Sequence, residues 1–536
     1  MNSHKRKLNL AAGTVLVLAL IFIIACRTNN SPAQAGEAMV TTLGQASPTT
    51  AADVFITPTS TPLPATATDL PASTPTATLT PTQPPASPTT TIPAKATAVL
   101  PDQPTAGVQV YETTLTLPTY PIQDYLSEQI DPIYNIPVYY FNRAAYEAAA
   151  SSPTPVDYTG IVLENAYLRL TFLPALGGRL YSAVVKATDQ EIFYHNPVVK
   201  PSRYGVLQPY EANWWLATGG MEWAYPTQEH GYRFGVPWDY EVTQAEDSAA
   251  ITLSDIAPDR VGLEVTVTLP ADSGLFTVAP SLINHGPDTA PVQLWLNAAL
   301  TLGSASMSPE TRFIIPNDTI TVHSRGESGW EVPGDRESAA WPEVASTNLS
   351  DYSQWANYLG FFVPNQETPF MGAHNPATHL GIVRLPGDSA GSGKLFAFGS
   401  DFPDRSYTDD NSQYFEIWGG ANAGFWPEHD IAVPVGGTLG WQESWWPLPH
   451  LEGLTWATEH AAIYLHQMDN TYRLSALLSY PAQGTLQVST GTNSLLTETF
   501  STDPATVLQW DFNADLPVRI QFIDDTGETL LTYQAN

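Results

Sequence analysis

Three glutamates sit in unusual company. Glu222 lies in Thr218-Gly-Gly-Met-Glu-Trp-Ala-Tyr-Pro226, Glu416 in Tyr414-Phe-Glu-Ile-Trp-Gly-Gly420, and Glu443 in Gly440-Trp-Gln-Glu-Ser-Trp-Trp-Pro447. Each block is aromatic and poor in charge, so desolvation there pushes a carboxyl group toward its neutral form and toward proton transfer at ordinary pH. His230, in Glu229-His-Gly231, adds an imidazole that titrates near neutrality. An acid and a base placed across a ring are what interconversion or cleavage at an anomeric carbon requires. Hydrolysis of a glycosidic bond usually takes two carboxyl groups, about 5 Å apart for retention and about 6.5–9.5 Å apart for inversion. The plainer alternative is that each glutamate pairs with an arginine or caps a turn, and that the histidine is a solvated loop residue.

The residues around these groups fit a ligand with hydroxyls and an apolar face. Tyr210, Trp214, Trp215, Trp223, Tyr225, Tyr232, Trp238 and Tyr240 fall within 31 positions, and Trp418 accompanies Glu416. Aromatic faces receive the C–H face of a pyranose, although some of these rings must be core. Arg179, after Gly177-Gly178, can fork onto adjacent hydroxyls or hold a carboxylate in place. His374, in Gly372-Ala-His-Asn375, is a further candidate for ligand contact by type. For metals, Asp401, Asp404, Asp409, Asp410 and Asn411 offer hard oxygens suited to Ca²⁺, but their spacing matches no twelve-residue calcium loop, and a solvated acidic loop is the simpler reading. There is no zinc pattern, no phosphate-cradling glycine loop and no cofactor motif.

The elements that must position these residues are strands. Gly160–Phe172 reads as two strands about a Glu164-Asn165 turn, and Gly262–Leu269, Leu275–Ala279, Val292–Ala299, Leu359–Val363, Leu380–Leu385 and Lys394–Phe398 follow between Gly, Pro, Asn and Asp breaks. No long helix-period run interrupts them, so the chain is an all-β sandwich or barrel. Residues 453–536 carry further short strands at about ten-residue spacing, which predicts a small closing β domain. Residues 107–157 read as an amino-terminal arm with a short helical piece near Arg143–Ala150. Residues 1–25 have a Lys5-Arg6-Lys7 start and an apolar run ending at Ala25, as in a signal peptide, and Ile23-Ile24-Ala25-Cys26 resembles a bacterial lipobox. Cys26 is the sole cysteine, so no intramolecular disulfide forms and lipidation is its expected role. Residues 26–106 are rich in Thr, Pro, Ala and Ser, and are expected to be a disordered, extended stalk.

These blocks together carry a resemblance. Leu163–Ser182, Phe193-Tyr-His-Asn-Pro197, Gly219-Gly-Met-Glu-Trp223, Asn297-Ala-Ala299, Tyr414–Gly420 and Gln442–Pro447 resemble the DUF5107 family of the galactose mutarotase-like superfamily, over residues 158–452 or so. The resemblance implies a β-supersandwich with a sugar on its concave face. Two features depart from the relatives: the chain ends in a β segment rather than helical repeats, and the histidine pair of galactose mutarotases has no clear counterpart. The formal charge of −32 excludes nucleic acid as a partner. The expectation is a cell-envelope lipoprotein, facing outside the cytoplasmic membrane and held to it by the lipid anchor alone. It would bind a carbohydrate and process it as hydrolase, epimerase or lyase, with Thr218–Pro226 as one wall of the cleft and Tyr414–Gly420 and Trp441–Pro447 as the other. The alternative is a glycan-binding lipoprotein without catalysis. Oligomeric state is left open.

Overall fold

A computed structural model describes residues 107–202, 209–327, 329–399, 407–469 and 471–536. The signal peptide, Cys26 and the Thr/Pro-rich stalk lie outside the described residues, as do Asp401 and Asp404. Among the described residues the regular structure is almost wholly strand, as the alternation predicts, and its two large sheets make an all-β supersandwich. One antiparallel-dominated sheet has 14 strands and a second has nine. Side chains alternate across a strand, so each strand of the large sheet buries one set of residues against the other sheet and turns the next set away. Strand Met221–Ala224 shows the division: Met221 and Trp223 join the continuous core between the sheets, while Glu222 and Ala224 face the other way.

The amino-terminal arm begins with a strand, as the alternation over 108–117 predicts. Gln109–Thr119 pairs along its whole length with Thr154–Glu164 and so belongs to the large sheet. A hairpin of Leu126–Asp131 with Ile136–Phe141 follows, then the expected helix over Arg143–Ala149, whose Asn142 side chain accepts from the amide of Ala145. The periodicity of 108–117 announces the strand; its partner, some forty residues later, is a tertiary fact.

The last segment forms two four-stranded sheets around their own core of Ile463, Leu474, Leu486, Ile520 and Phe522, among others. Its Ala462 and Leu477 pack with Val383, Leu385, Trp446 and Leu448 from the outward side of the nine-stranded sheet. That sheet is therefore covered on both faces. The face of the large sheet that turns away from the core remains available for a site.

Candidate functional site

The large sheet aligns a polar row across its outward face. Glu222 stands opposite Asn297, Asn297 opposite Trp418, and Trp418 opposite Lys394, on the adjacent strands Met221–Ala224, Trp295–Leu300, Phe415–Gly420 and Ser392–Ala397. Met221 pairs with Leu180, which brings Arg179 alongside Glu222. Glu416 is two residues before Trp418 and shares its face. Opposed residues on one sheet face have Cβ atoms about 5 Å apart, so the register alone assembles these groups.

Their contacts divide them into held and open groups. Glu222 accepts from Arg179 Nη2 at 3.2 Å and from Asn297 Nδ2 at 3.3 Å, and pairs through Oε1 with His230 Nδ1. The same Asn297 nitrogen reaches Glu416 Oε1 at 3.5 Å, so one amide bridges the two carboxylates. Glu416 Oε2 accepts from the Trp418 indole at 2.9 Å and lies 3.9 Å from Lys394 Nζ. Among the described residues no arginine bonds Glu416. Asn297 Oδ1 is buried without a hydrogen-bond partner among the described residues, an acceptor left for something that enters.

His230 reaches the row from a loop. Glu229 and Gly231 flank it with φ of 60° and 64°, a left-handed turn that folds the loop back on itself. A side chain at Gly231 would collide with the backbone of Tyr225, so this return needs glycine. The imidazole stacks on Trp215 at 4.3 Å with an interplanar angle of 11° and meets the edge of Trp418 at 5.6 Å. With Nδ1 on Glu222, Nε2 is the nitrogen left to act, and it has no hydrogen bond among the described residues.

Arg179, Trp215, Glu222, His230, Asn297, Tyr414 and Glu416 are among the residues that line a narrow recess of about 30 Å³ on this face. That is far below the roughly 300–1,000 Å³ of small-ligand pockets, so a sugar ring would have to widen it or sit at its mouth. Burial would raise the pKa of Glu222, but His230 and Arg179 outweigh it and hold the carboxyl below its ordinary range. Burial works against a charged His230 as well, yet Glu222 overcomes it and raises the imidazole pKa. For Glu416 burial prevails over Lys394 and His230, and the pKa is raised. The site thus holds a carboxylate that stays ionised, an imidazole that keeps its proton more firmly, and a second carboxylate poised nearer neutrality. That is an acid and a base on neighbouring groups.

Several expected site residues are elsewhere. Glu443 belongs to strand Glu443–Pro449 of the nine-stranded sheet and points between the sheets. There it accepts from Arg384 at 2.6 and 3.1 Å and from the indoles of Trp441 and Trp445 at 2.8 Å each. A side chain on Gly419, across the core, would collide with this pair. Trp441–Pro447 is therefore not a wall of the recess. His374 is buried in the nine-stranded sheet, pairs across to Arg312 and Gly381, and its pKa falls to about 4 through burial, so it is a neutral core residue. Trp223, Tyr225 and Trp238 are in the core, bonded to Gly178 O, Asp255 and Arg233 O. Trp214 turns to a separate cluster and donates to Tyr139 O at 2.7 Å. Of the tryptophans in the 210–240 block only Trp215 lines the recess. Arg179 lines it too, but its donors go to Leu176 O, Gly219 O, Phe234 O and Glu222, so it fixes Glu222 rather than reaching for a ligand. Trp418 is fully buried and supports Glu416.

Asn297 and Lys394 were missed as site residues. Asn297 appears in the quoted Asn-Ala-Ala block, and strand period from Glu416 and Trp418 would have placed neither partner, since cross-strand register is not local. Of the acidic cluster's described members, Asp409 accepts from Lys200 at 2.8 Å and Tyr120 at 2.9 Å, and Asp410 accepts from Ser412. Among the described residues no three His, Cys, Asp or Glu converge to hold a metal ion.

Two opposed antiparallel-rich sheets with an acid/base row on the outward face define a supersandwich protein with a candidate small-molecule site. The chain matches the model of the domain of unknown function DUF5107 over residues 134–434, more than half its length, and belongs to that family. Among solved structures, a TPR-domain containing protein from Parabacteroides distasonis is similar at 21% identity, with a TM-score of 0.50 over 64% of this chain. This chain spans 56% of that protein's length. A galactose mutarotase related enzyme from Lactobacillus acidophilus is similar at 12% identity and TM-score 0.37, covering 54% of this chain and 97% of its own. A galactose mutarotase-like protein from Lactobacillus casei gives 14%, 0.34, 54% and 99% in the same order.

Proposed function

We propose that the recess binds a carbohydrate and moves protons at its anomeric centre, with Glu416 as base and His230 as acid. The observation that carries this reading is the single amide of Asn297 bridging Glu222 and Glu416, which puts the Glu222–His230 pair and a freer carboxylate at one small recess. A base works best with a pKa near the working pH, and Glu416 is raised toward it. Glu222 keeps the imidazole charged, so Nε2 can deliver a proton to a ring oxygen while Glu416 takes one from the anomeric hydroxyl. Asn297 Oδ1 accepts from a ligand hydroxyl, and the Trp215–His230 stack bounds the sugar's apolar face.

Epimerisation of a free sugar suits these groups better than glycoside hydrolysis. A retaining or inverting hydrolase needs a second carboxylate free to attack or to activate water. Glu222 is closed on both oxygens by Arg179, His230 and Asn297. The test is exchange of α and β anomers, followed by NMR, across a panel of reducing sugars. Wild-type chain should accelerate exchange for at least one sugar, and Glu416→Gln should lower the rate by about 10²–10⁴-fold while retaining binding. Binding of a sugar by the wild type without exchange of any would refute catalysis and leave the glycan-binding reading. We further propose that Cys26 is lipidated and places this domain outside the cytoplasmic membrane. Metabolic labelling with a fatty acid that persists in Cys26→Ser would refute that.

A further inference from the structure

Behind Glu416 lies a cation that the recess does not touch. Lys394 is only 3% exposed. Its Nζ lies 4.2 Å from the ring centre of Trp418, 5.0 Å from that of Phe425 and 5.5 Å from that of Phe396. These rings form an aromatic box, which favours a cation through the negative faces of the π-systems. The ammonium makes no hydrogen bond among the described residues, and its nearest carboxylate is Glu416 at 3.9 Å. A charge held beyond hydrogen-bond reach in apolar surroundings acts on its neighbour through its field, which such surroundings screen little.

The three glutamates make the comparison direct. Glu222 and Glu443 are each bonded to an arginine, Glu222 by one nitrogen of Arg179 and Glu443 by two of Arg384, which fixes each carboxylate in place. Glu416 receives its positive charge from Lys394 without losing an oxygen to it. We propose that Lys394 is a positioning residue that keeps Glu416 ionised without hydrogen-bonding either of its oxygens, and so makes Glu416 the base and leaves the acid's part to His230. This rests on the acid/base reading above. Among the described residues the titratable groups facing Glu416 are Lys394, His230, Glu222 and Tyr414, and those facing Lys394 are Glu416, Glu229 and His323. Of these, Lys394 and His230 are the cations that favour a charged Glu416, and His230 must carry its proton to help.

The test does not depend on finding the sugar. In full-length chain labelled with carboxyl-¹³C glutamate, the Glu416 resonance is identified by its loss in Glu416→Gln and titrated by NMR. Lys394→Met fills the box without charge and should move the Glu416 midpoint up by at least about one pH unit, a tenfold fall in ionised carboxylate at fixed pH. Lys394→Gln should do the same and serves if the methionine variant does not fold. Where a sugar is exchanged by wild type, the acid limb of the rate–pH profile should move by the same amount. An unmoved Glu416 midpoint in a folded variant, even with a lowered melting temperature, would show Lys394 to be merely structural and overturn the proposal. Failure of the wild type to exchange any sugar would overturn only the functional reading.

Discussion

Glu443→Gln should cripple the fold, whereas Glu416→Gln should leave it standing. Glu443 and Arg384 are both fully buried, joined by two hydrogen bonds, and the remaining Glu443 acceptors serve two indoles. Neutralising Glu443 leaves Arg384 with its charge uncompensated in a dry core, a loss of about 3–5 kcal/mol for such pairs. Domains are stable by only about 5–15 kcal/mol, so this is a large share. At about 2–4 °C per kcal/mol, the melting point should fall on the order of 10 °C. Among the described residues Glu416 bonds no guanidinium, and the Lys394 ammonium that loses its counter-charge keeps its aromatic box, so the glutamine replacement should cost less, about 1–3 kcal/mol. Thermal unfolding followed by near-ultraviolet circular dichroism separates the two variants. Replacing the whole pair with Arg384→Met and Glu443→Leu should recover much of the loss, because apolar residues of similar volume carry no desolvation penalty. A Glu443→Gln protein melting within about 2 °C of the parent, or a Glu416→Gln protein falling as far as Glu443→Gln, would refute the division between structural and reactive glutamates.

Glu222→Gln should lower the midpoint of His230, seen in its imidazole ¹⁵N shifts, because burial then acts without the opposing carboxylate; an unchanged midpoint would separate the two residues electrostatically. Within the Glu222–His230 pair, Glu222's share of the stability should be present above the ordinary glutamate range and vanish as pH falls through its lowered native pKa, while His230's share should be complete below about 6.5 and vanish as pH rises through its raised one. His374 and His323 act in the opposite sense, since burial pushes both down to about 4. The unfolded chain binds their protons first, so each should withdraw up to about 3 kcal/mol as pH falls from about 6.5 to about 4, and His374→Gln should flatten the acid limb of a urea-midpoint profile. Gly231→Ala should cost at least about 1–3 kcal/mol through its left-handed backbone and the collision with Tyr225, and should abolish ligand binding by displacing His230, measurable by calorimetry.

Much of this protein was legible from local pattern. Period-two alternation marks Leu168–Leu173, Val261–Pro270 and Phe276–Asn284 as strands, because a half-buried pleat demands it. The Glu222 block, His230 and the Glu416 block were recognisable as low-charge aromatic settings. What local pattern could not do was choose between Glu416 and Glu443. Glu416-Ile-Trp418 and Glu443-Ser-Trp445 share the same spacing, and in both the tryptophan indole donates to the glutamate two residues before it. The first pair turns to the outward face of the large sheet, the second between the sheets. Which face a strand presents depends on its neighbours' register, and which cation waits there depends on residues tens of positions away: Arg384 across the strand pairing in one case, Lys394 in the other. The sequence by itself determined the fold class, the strands and the materials of a proton-transfer site. Only the tertiary structure decided which carboxylate is locked and which is open, because a side chain's charge environment is set by contacts through space and not by its neighbours in the chain.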